Sequence, residues 1–209
     1  MNIKKVIAFE GVSAVGKTTT MHLVGDALRE MGHEVGIIDE KNIIRDTISQ
    51  FHSNNLWVSS LPPITESFLY SAAYAFKIEV EIENAKEPIV MTDRYYHSPI
   101  VCQYARIKEY GVSLSEVVNT ITSPFGLQLR EPDLTLVFTG DIDNIMDRFY
   151  SREKRSMLPD EKKSIEEGIL VYHKLENYFP NYVMVNADGD IEQNVNKALD
   201  KIKQMEIIK

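Results

Sequence analysis

Residues 9–20 read FEGVSAVGKTTT, from Phe9 to Thr20. Gly11 to Thr18 matches the pattern G-x-x-x-x-G-K-[ST] at every fixed position. A chance match in a chain of this length arises roughly once in a hundred, and the context narrows it further, because the match closes an apolar run and opens a helical pattern. Glycine admits backbone angles closed to other residues and lets main-chain N–H groups approach an anion with no side chain between. The start of a helix adds unpaired donors and the positive end of a dipole. The stretch therefore reads as a phosphate loop, with Ser13, Ala14, Val15, Gly16, Lys17, Thr18 and Thr19 around the nucleotide. Lys17 is expected at the β and γ phosphates of that nucleotide and the Thr18 hydroxyl at Mg2+.

Outward from this loop, short apolar runs alternate with longer amphipathic stretches. KKVIAF, VGIID, PIVMTD, DLTLVF and YVMVN each have the length of a buried strand, and the segments between them are long enough for crossover helices. That rhythm predicts a parallel α/β sheet. The first helix is expected from Gly16 to about Met31, ending at Gly32 in a left-handed cap. A helical region is expected after Glu40, and residues 64–85 read as one long helix without Gly or Pro. Further helices are expected over HSPIVCQYARIKEYG with Pro99 in the first turn, over SLSEVVNTITS, from the N-cap Asp141, over PDEKKSIEEGILVYHKLENYF with Gly168 as a weak point, and from Asp190 to about Gln204. No repeat, low-complexity tract or linker marks a second domain, so residues 1–209 read as one domain.

Composition excludes several classes. A 44% apolar content supports a sizeable core, and no segment has the apolar length of a membrane span. The formal net charge of −8 disfavours a nucleic-acid surface, so any anion site must be local. Cys102 is the only cysteine, which leaves no internal disulfide and too few thiols for a zinc site. The first residues carry no secretory pattern, and the cytoplasm is the expected compartment.

Two further clusters suggest what the nucleotide is for. TDRYYHS ends the third predicted strand, and strand ends at the carboxyl edge of a parallel sheet face the ligand. Asp93 is placed to hold Mg2+, and the planar fork of Arg94 suits a phosphate. Between the fourth and fifth strands, residues 149–160 read as a lid. Arg148 and Arg152 share a helix face and Arg155 follows, whereas Lys154, Lys162 and Lys163 read as solvated charge. Cations that close over a site stabilise the charge on a moving phosphoryl group.

FEGVSAVGKTT, TDRYYHS, EPDLTLVF, DRFYSR and VMVNADGD occur in an order that resembles the thymidylate kinase family, nearly end to end. The resemblance implies a P-loop NTPase α/β/α sandwich with a five-stranded parallel sheet and a helical lid. It implies γ-phosphoryl transfer from ATP to a nucleoside monophosphate, most like dTMP to dTDP, with Mg2+, usually by a homodimer. On the matching positions, Lys17 and Thr18 bind ATP and metal, Asp93 supports metal or acceptor, and Arg94 holds the acceptor phosphate. Arg148 lies against the adenine near Asn186 to Gly189, with Asp188 also on the ATP side, and Arg152 and Arg155 act in the lid. Ser98, Gln103 and Tyr172 face the nucleoside.

Departures from the family pattern are equally specific. Bacterial members typically carry a charged residue inside the phosphate loop, whereas Val12 to Val15 are uncharged, which shifts catalytic charge to the lid. Where the family often has REPGGT after the second strand, this chain has DEKNII. Only Glu40 matches, and Arg45 is the nearest replacement for the missing arginine. The base-stacking aromatic has three candidates, Phe68, Tyr70 and Tyr74, with Lys77 the nearest cation in place of a base-reading arginine. A nucleoside kinase, with Glu40 as general base toward a 5′-hydroxyl, is the alternative. A regulatory P-loop NTPase is a third reading, though the base-reading NKxD is absent.

Overall fold

The computed structural model describes residues 4–39 and 62–208. They divide into two compact units, one made of residues 4–39, 85–94 and 131–208, the other of 62–84 and 95–130.

The first unit contains the sheet. Strands β1 (Lys5–Gly11), β2 (Val35–Ile38), β3 (Ile89–Asp93), β4 (Leu134–Thr139) and β5 (Tyr182–Asn186) fall on the five apolar runs. All pairings are parallel, in the order β2-β3-β1-β4-β5. β1, β3 and β4 are buried along almost their whole length, as expected of strands covered on both faces. The chain leaves β1 toward one edge and later crosses to the other, so the end of β1 is the topological switch point where ligands collect. The register sets Phe9 opposite Asp93 and Gly11 opposite Phe138, which brings the ends of three strands together.

Four helices belong to this unit: α1 (Lys17–Glu30), α5 (Ile142–Glu153), α6 (Pro159–Leu175) and α7 (Ile191–Gln204). α1 packs on α7 and against β1, β2 and β3, while α6 packs on α5 and β1. Gly32 ends α1 with φ 92°, the left-handed stop expected there. Asp141 and Asp190 cap α5 and α7 by accepting from the backbone N–H of Asp143 and Gln193. Gly168 sits buried inside α6 without breaking it. The fold is a P-loop NTPase α/β/α architecture with a five-stranded parallel sheet.

The second unit is helical, with α2 (Pro63–Phe76), α3 (His97–Ile107) and α4 (Leu114–Thr122). α3 packs against both of the others. The capping box of Ser113 and Glu116 starts α4, an acid whose pKa is lowered by the Ser113 side chain and backbone. The long helix expected over 64–85 keeps its course but not its winding, because residues Lys77–Ile82 form a wider π-helical turn. The segment carries the β-branched residues Ile78, Val80 and Ile82, and Lys77, Ile78 and Ile82 are buried in it. Glu40, Arg45 and the helix expected after Glu40 lie outside the described residues.

Candidate active site

The site of the first unit begins where β1 turns into α1. Gly11, Ala14 and Gly16 all adopt positive φ, at 137°, 62° and 96°. A Cβ on Gly11 would stand 2.3 Å from the Phe138 carbonyl oxygen, so only glycine lets β1 run this close to β4. A Cβ on Gly16 would meet nothing within 4 Å. Val12 and Val15 are buried and anchor the loop, while Ser13, Thr18 and Thr19 are exposed. No side chain caps the first turn of α1. Its amide donors and the left-handed turns form a cradle of the kind that holds phosphate oxygens.

Lys17 and Asp93 meet inside this cradle. Lys17 Nζ lies 2.5 Å from Asp93 Oδ1, and the Thr18 hydroxyl donates to Asp93 Oδ2 at 2.5 Å. Lys17 is 5% and Asp93 2% exposed, so the pair is largely withdrawn from water. Among the described residues no group of three or more His, Cys, Asp or Glu can hold a metal ion. One carboxylate and one hydroxyl are nonetheless the donor set that suits Mg2+ completed by substrate phosphates and water. The residues present fit both ATP and Mg2+.

Arg94 follows directly. It has φ 63°, a left-handed conformation uncommon for a side chain of this size, and its backbone N–H donates to the Phe9 carbonyl at 2.9 Å. Its Nη1 donates to the Gly11 carbonyl at 3.2 Å. The strained backbone turns the guanidinium to the loop rather than along the strand.

The three arginines after β4 have three different surroundings. Arg148 donates to the carbonyls of Val15, Ala187 and Gly189, at 3.0, 2.6 and 3.2 Å, joining the phosphate loop to the turn after β5. Arg152 reaches the Ser13 hydroxyl at 3.3 Å and also pairs with Glu153. Arg155 forms a fork on Glu161, with both contacts at 2.7 Å, and lies over the Phe149 ring with 4.9 Å to its centroid. Glu161 also accepts from the Leu158 amide, and its carboxyl is lowered to about 2 by Arg155 first and that amide second. Arg152 thus touches the loop while Arg155 is held by its helix start.

Asp188 organises the turn after β5. Its carboxylate accepts from the Asp141 amide and from Asn144 and Asn186. Burial pushes its pKa up, but these donors and the Arg148 charge outweigh that and hold it below the ordinary value.

Tyr172 is another expected site residue of the first unit that is buried. At 2% exposure, its hydroxyl donates to Glu10 at 2.9 Å, so it packs behind the loop in the core. Glu10 carried no assigned role in the sequence reading. The available signal was an acid within the otherwise apolar run of β1. Glu161 was missed as well, though its place two residues after Pro159 marks a helix first turn.

In the second unit, Ser98 and Gln103 are buried on α3, and the Gln103 Oε1 accepts from the Ser67 hydroxyl at 2.7 Å. The Gln103 Nε2 is buried without a hydrogen-bond partner. Tyr74 is 4% exposed with Lys77 Nζ 6.0 Å from its ring centroid, Tyr70 is half-buried, and Phe68 is 63% exposed. The surroundings therefore differ sharply among the three aromatics named for base stacking.

Fold and phosphate cradle together define a P-loop nucleotide-dependent phosphotransferase. The family model described as thymidylate kinase matches residues 9–198. The chain is 27% identical to the thymidylate kinase of Halalkalibacterium halodurans over 95% of either chain. It is 29% identical to that of Thermoanaerobacter pseudethanolicus, over 96% of this chain and 98% of the relative. It is also 29% identical to that of Sulfurihydrogenibium sp., over 97% and 98%. The chain belongs to the thymidylate kinase family.

Proposed function

We propose that this chain catalyses transfer of the γ-phosphoryl group of ATP to dTMP, giving dTDP and ADP. The match to the thymidylate kinase model across residues 9–198, over a phosphate loop with Lys17 and Thr18 on Asp93, carries this reading.

The loop amides and Lys17 hold the β and γ phosphates of ATP. Arg148 and the turn with Asp188 form the adenine side. Thr18 and Asp93 hold Mg2+, which supplies charge neutralisation across the phosphates when bound. Arg94 holds the phosphate of the acceptor, one oxygen of which bonds to the γ phosphorus as the bond to the ADP oxygen breaks. Arg152 stabilises the charge spread over the moving group, and Arg155 joins it by leaving Glu161. Ser98 and Gln103 bind the nucleoside, with the buried Gln103 amide as a donor suited to a base carbonyl. Tyr70 and Tyr74 contact the base.

Residues 1–209 serve as one kinase domain with 149–160 as its lid, acting as a homodimer in the cytoplasm on nucleotide substrates. Among the described residues no helix is long and apolar enough to cross a membrane.

ATP consumption measured against dTMP, other nucleoside monophosphates and free nucleosides tests the reading. Turnover with dTMP far above the rest is expected. Turnover with thymidine but not dTMP overturns it in favour of a nucleoside kinase with Glu40 as base, and no turnover with any acceptor favours a regulatory NTPase.

A further inference from the structure

Glu10 stands one residue before the phosphate loop, fully buried in the middle of the sheet. A carboxylate in that position is costly unless it is hydrogen-bonded. One donor comes from 162 residues away in the sequence: the Tyr172 hydroxyl on α6, at 2.9 Å from Oε2. The same hydroxyl lies 3.5 Å from the Gly11 carbonyl oxygen. Arg94 Nη1 donates to that carbonyl oxygen at 3.2 Å. Tyr172 is fixed from the other side by the Tyr182 hydroxyl, which donates to the Tyr172 carbonyl at 2.9 Å. Burial first, then the charges of Glu10 and Glu176, push the Tyr182 pKa far up, so it remains a donor at any working pH.

Of the Glu10 carboxylate and the Gly11 carbonyl, the Tyr172 hydroxyl has Glu10 the nearer, at 2.9 against 3.5 Å. Arg94 Nη1 donates to that Gly11 carbonyl. The phenol oxygen stands 3.5 Å from the same carbonyl oxygen that Arg94 Nη1 engages, at the end of β1 where Gly11 is paired with Phe138 of β4.

We propose that Glu10 and Tyr172 are positioning residues for Arg94: through the shared Gly11 carbonyl they fix the guanidinium that receives the acceptor phosphate. The proposal rests on the reading of Arg94 as the acceptor-phosphate residue. It assigns α6, the helix following the lid, a direct hold on acceptor geometry, and it leaves donor binding to the loop amides and Lys17.

The test compares Tyr172→Phe, Glu10→Gln and Arg94→Ala in the full chain, by kcat and KM and by direct binding of dTMP and a non-hydrolysable ATP analogue. Tyr172→Phe is expected to weaken dTMP binding roughly tenfold, the scale of one lost buried hydrogen bond, and to change affinity for the ATP analogue less than about twofold. Glu10→Gln keeps an acceptor for the hydroxyl and is expected to stay within about threefold of the parent for dTMP. In an Arg94→Ala background, Tyr172→Phe is expected to add nothing further. Equal losses of donor and acceptor affinity in Tyr172→Phe, no change in either, or a full additive effect on top of Arg94→Ala would each overturn the proposal. If Arg94→Ala itself leaves dTMP binding unchanged, the reading of Arg94 fails as well, which separates the two failures.

Discussion

Lys17 Nζ lies 2.5 Å from Asp93 Oδ1, a buried contact that ties the first turn of α1 to the end of β3 across 76 residues of sequence. The phosphate loop and the end of β3 that carries Asp93 are thereby tied together. The Thr18 hydroxyl donates to the other carboxylate oxygen, at 2.5 Å, and helps keep that carboxylate in place.

Removing either member of this pair leaves a buried charge short of its partner. Lys17→Ala is expected to abolish transfer and to weaken ATP binding strongly. Asp93→Ala is expected to destabilise the fold by about 3 kcal/mol. Chemical denaturation of both variants, with binding of an ATP analogue followed in parallel, checks this. Near-native ATP affinity in Lys17→Ala would contradict the cradle assignment.

Arg94 separates acceptor from donor. On the proposed reading of Arg94 as the acceptor-phosphate residue, Arg94→Ala is expected to abolish transfer while leaving affinity for an ATP analogue within about threefold of the parent. Steady-state kinetics with dTMP varied at saturating ATP, alongside calorimetric binding, distinguishes loss of acceptor from collapse of the whole site.

Gly11→Ala places a methyl group 2.3 Å from a main-chain oxygen of β4 at a positive φ. Neither backbone can yield without breaking the β1–β4 ladder, so a loss of at least about 3 kcal/mol is expected, together with weakened nucleotide binding. Gly16→Ala meets open space and carries only the backbone penalty of about 1–2 kcal/mol. The order of the two melting temperatures checks the argument, and equal midpoints would refute it.

The fork of Arg155 on Glu161 is expected to persist across all working pH. Glu161 is lowered to about 2 in the folded chain, below its unfolded value, so the pair contributes fully above that unfolded value and is lost as pH falls through about 2. An NMR titration of the Glu161 side-chain carbon is expected to show a midpoint near 2. A midpoint in the ordinary carboxylate range would mean that Arg155 is already released in the nucleotide-free protein.

Much of the fold was legible because its signals are local. Five apolar runs became five strands, Gly32 ended α1, and Asp141 and Asp190 capped their helices, each within one or two residues of its expected place. Residues 77–82 departed because the choice between α and π winding depends on which side chains find burial, and Lys77, Ile78 and Ile82 all do. Tyr172 was named for the nucleoside, yet its hydroxyl turns inward to an acid on a distant strand. Helix spacing gives the face of a residue roughly but not its partner.

By itself the sequence determined the alternation of strand and helix and the phosphate loop, because those depend on periodicity and on an eight-residue spacing that any neighbour-to-neighbour reading captures, while five motifs in order carried the resemblance to the family. Tertiary structure alone decided which groups meet. Lys17 takes Asp93, Arg94 and Tyr172 converge on Gly11, and Arg152 reaches Ser13 while Arg155 is held by Glu161. Such contacts depend on strand order, register and the few ångströms between charged groups in a dry interior, where a small displacement changes the energy by kcal/mol and linear spacing carries no record of distance.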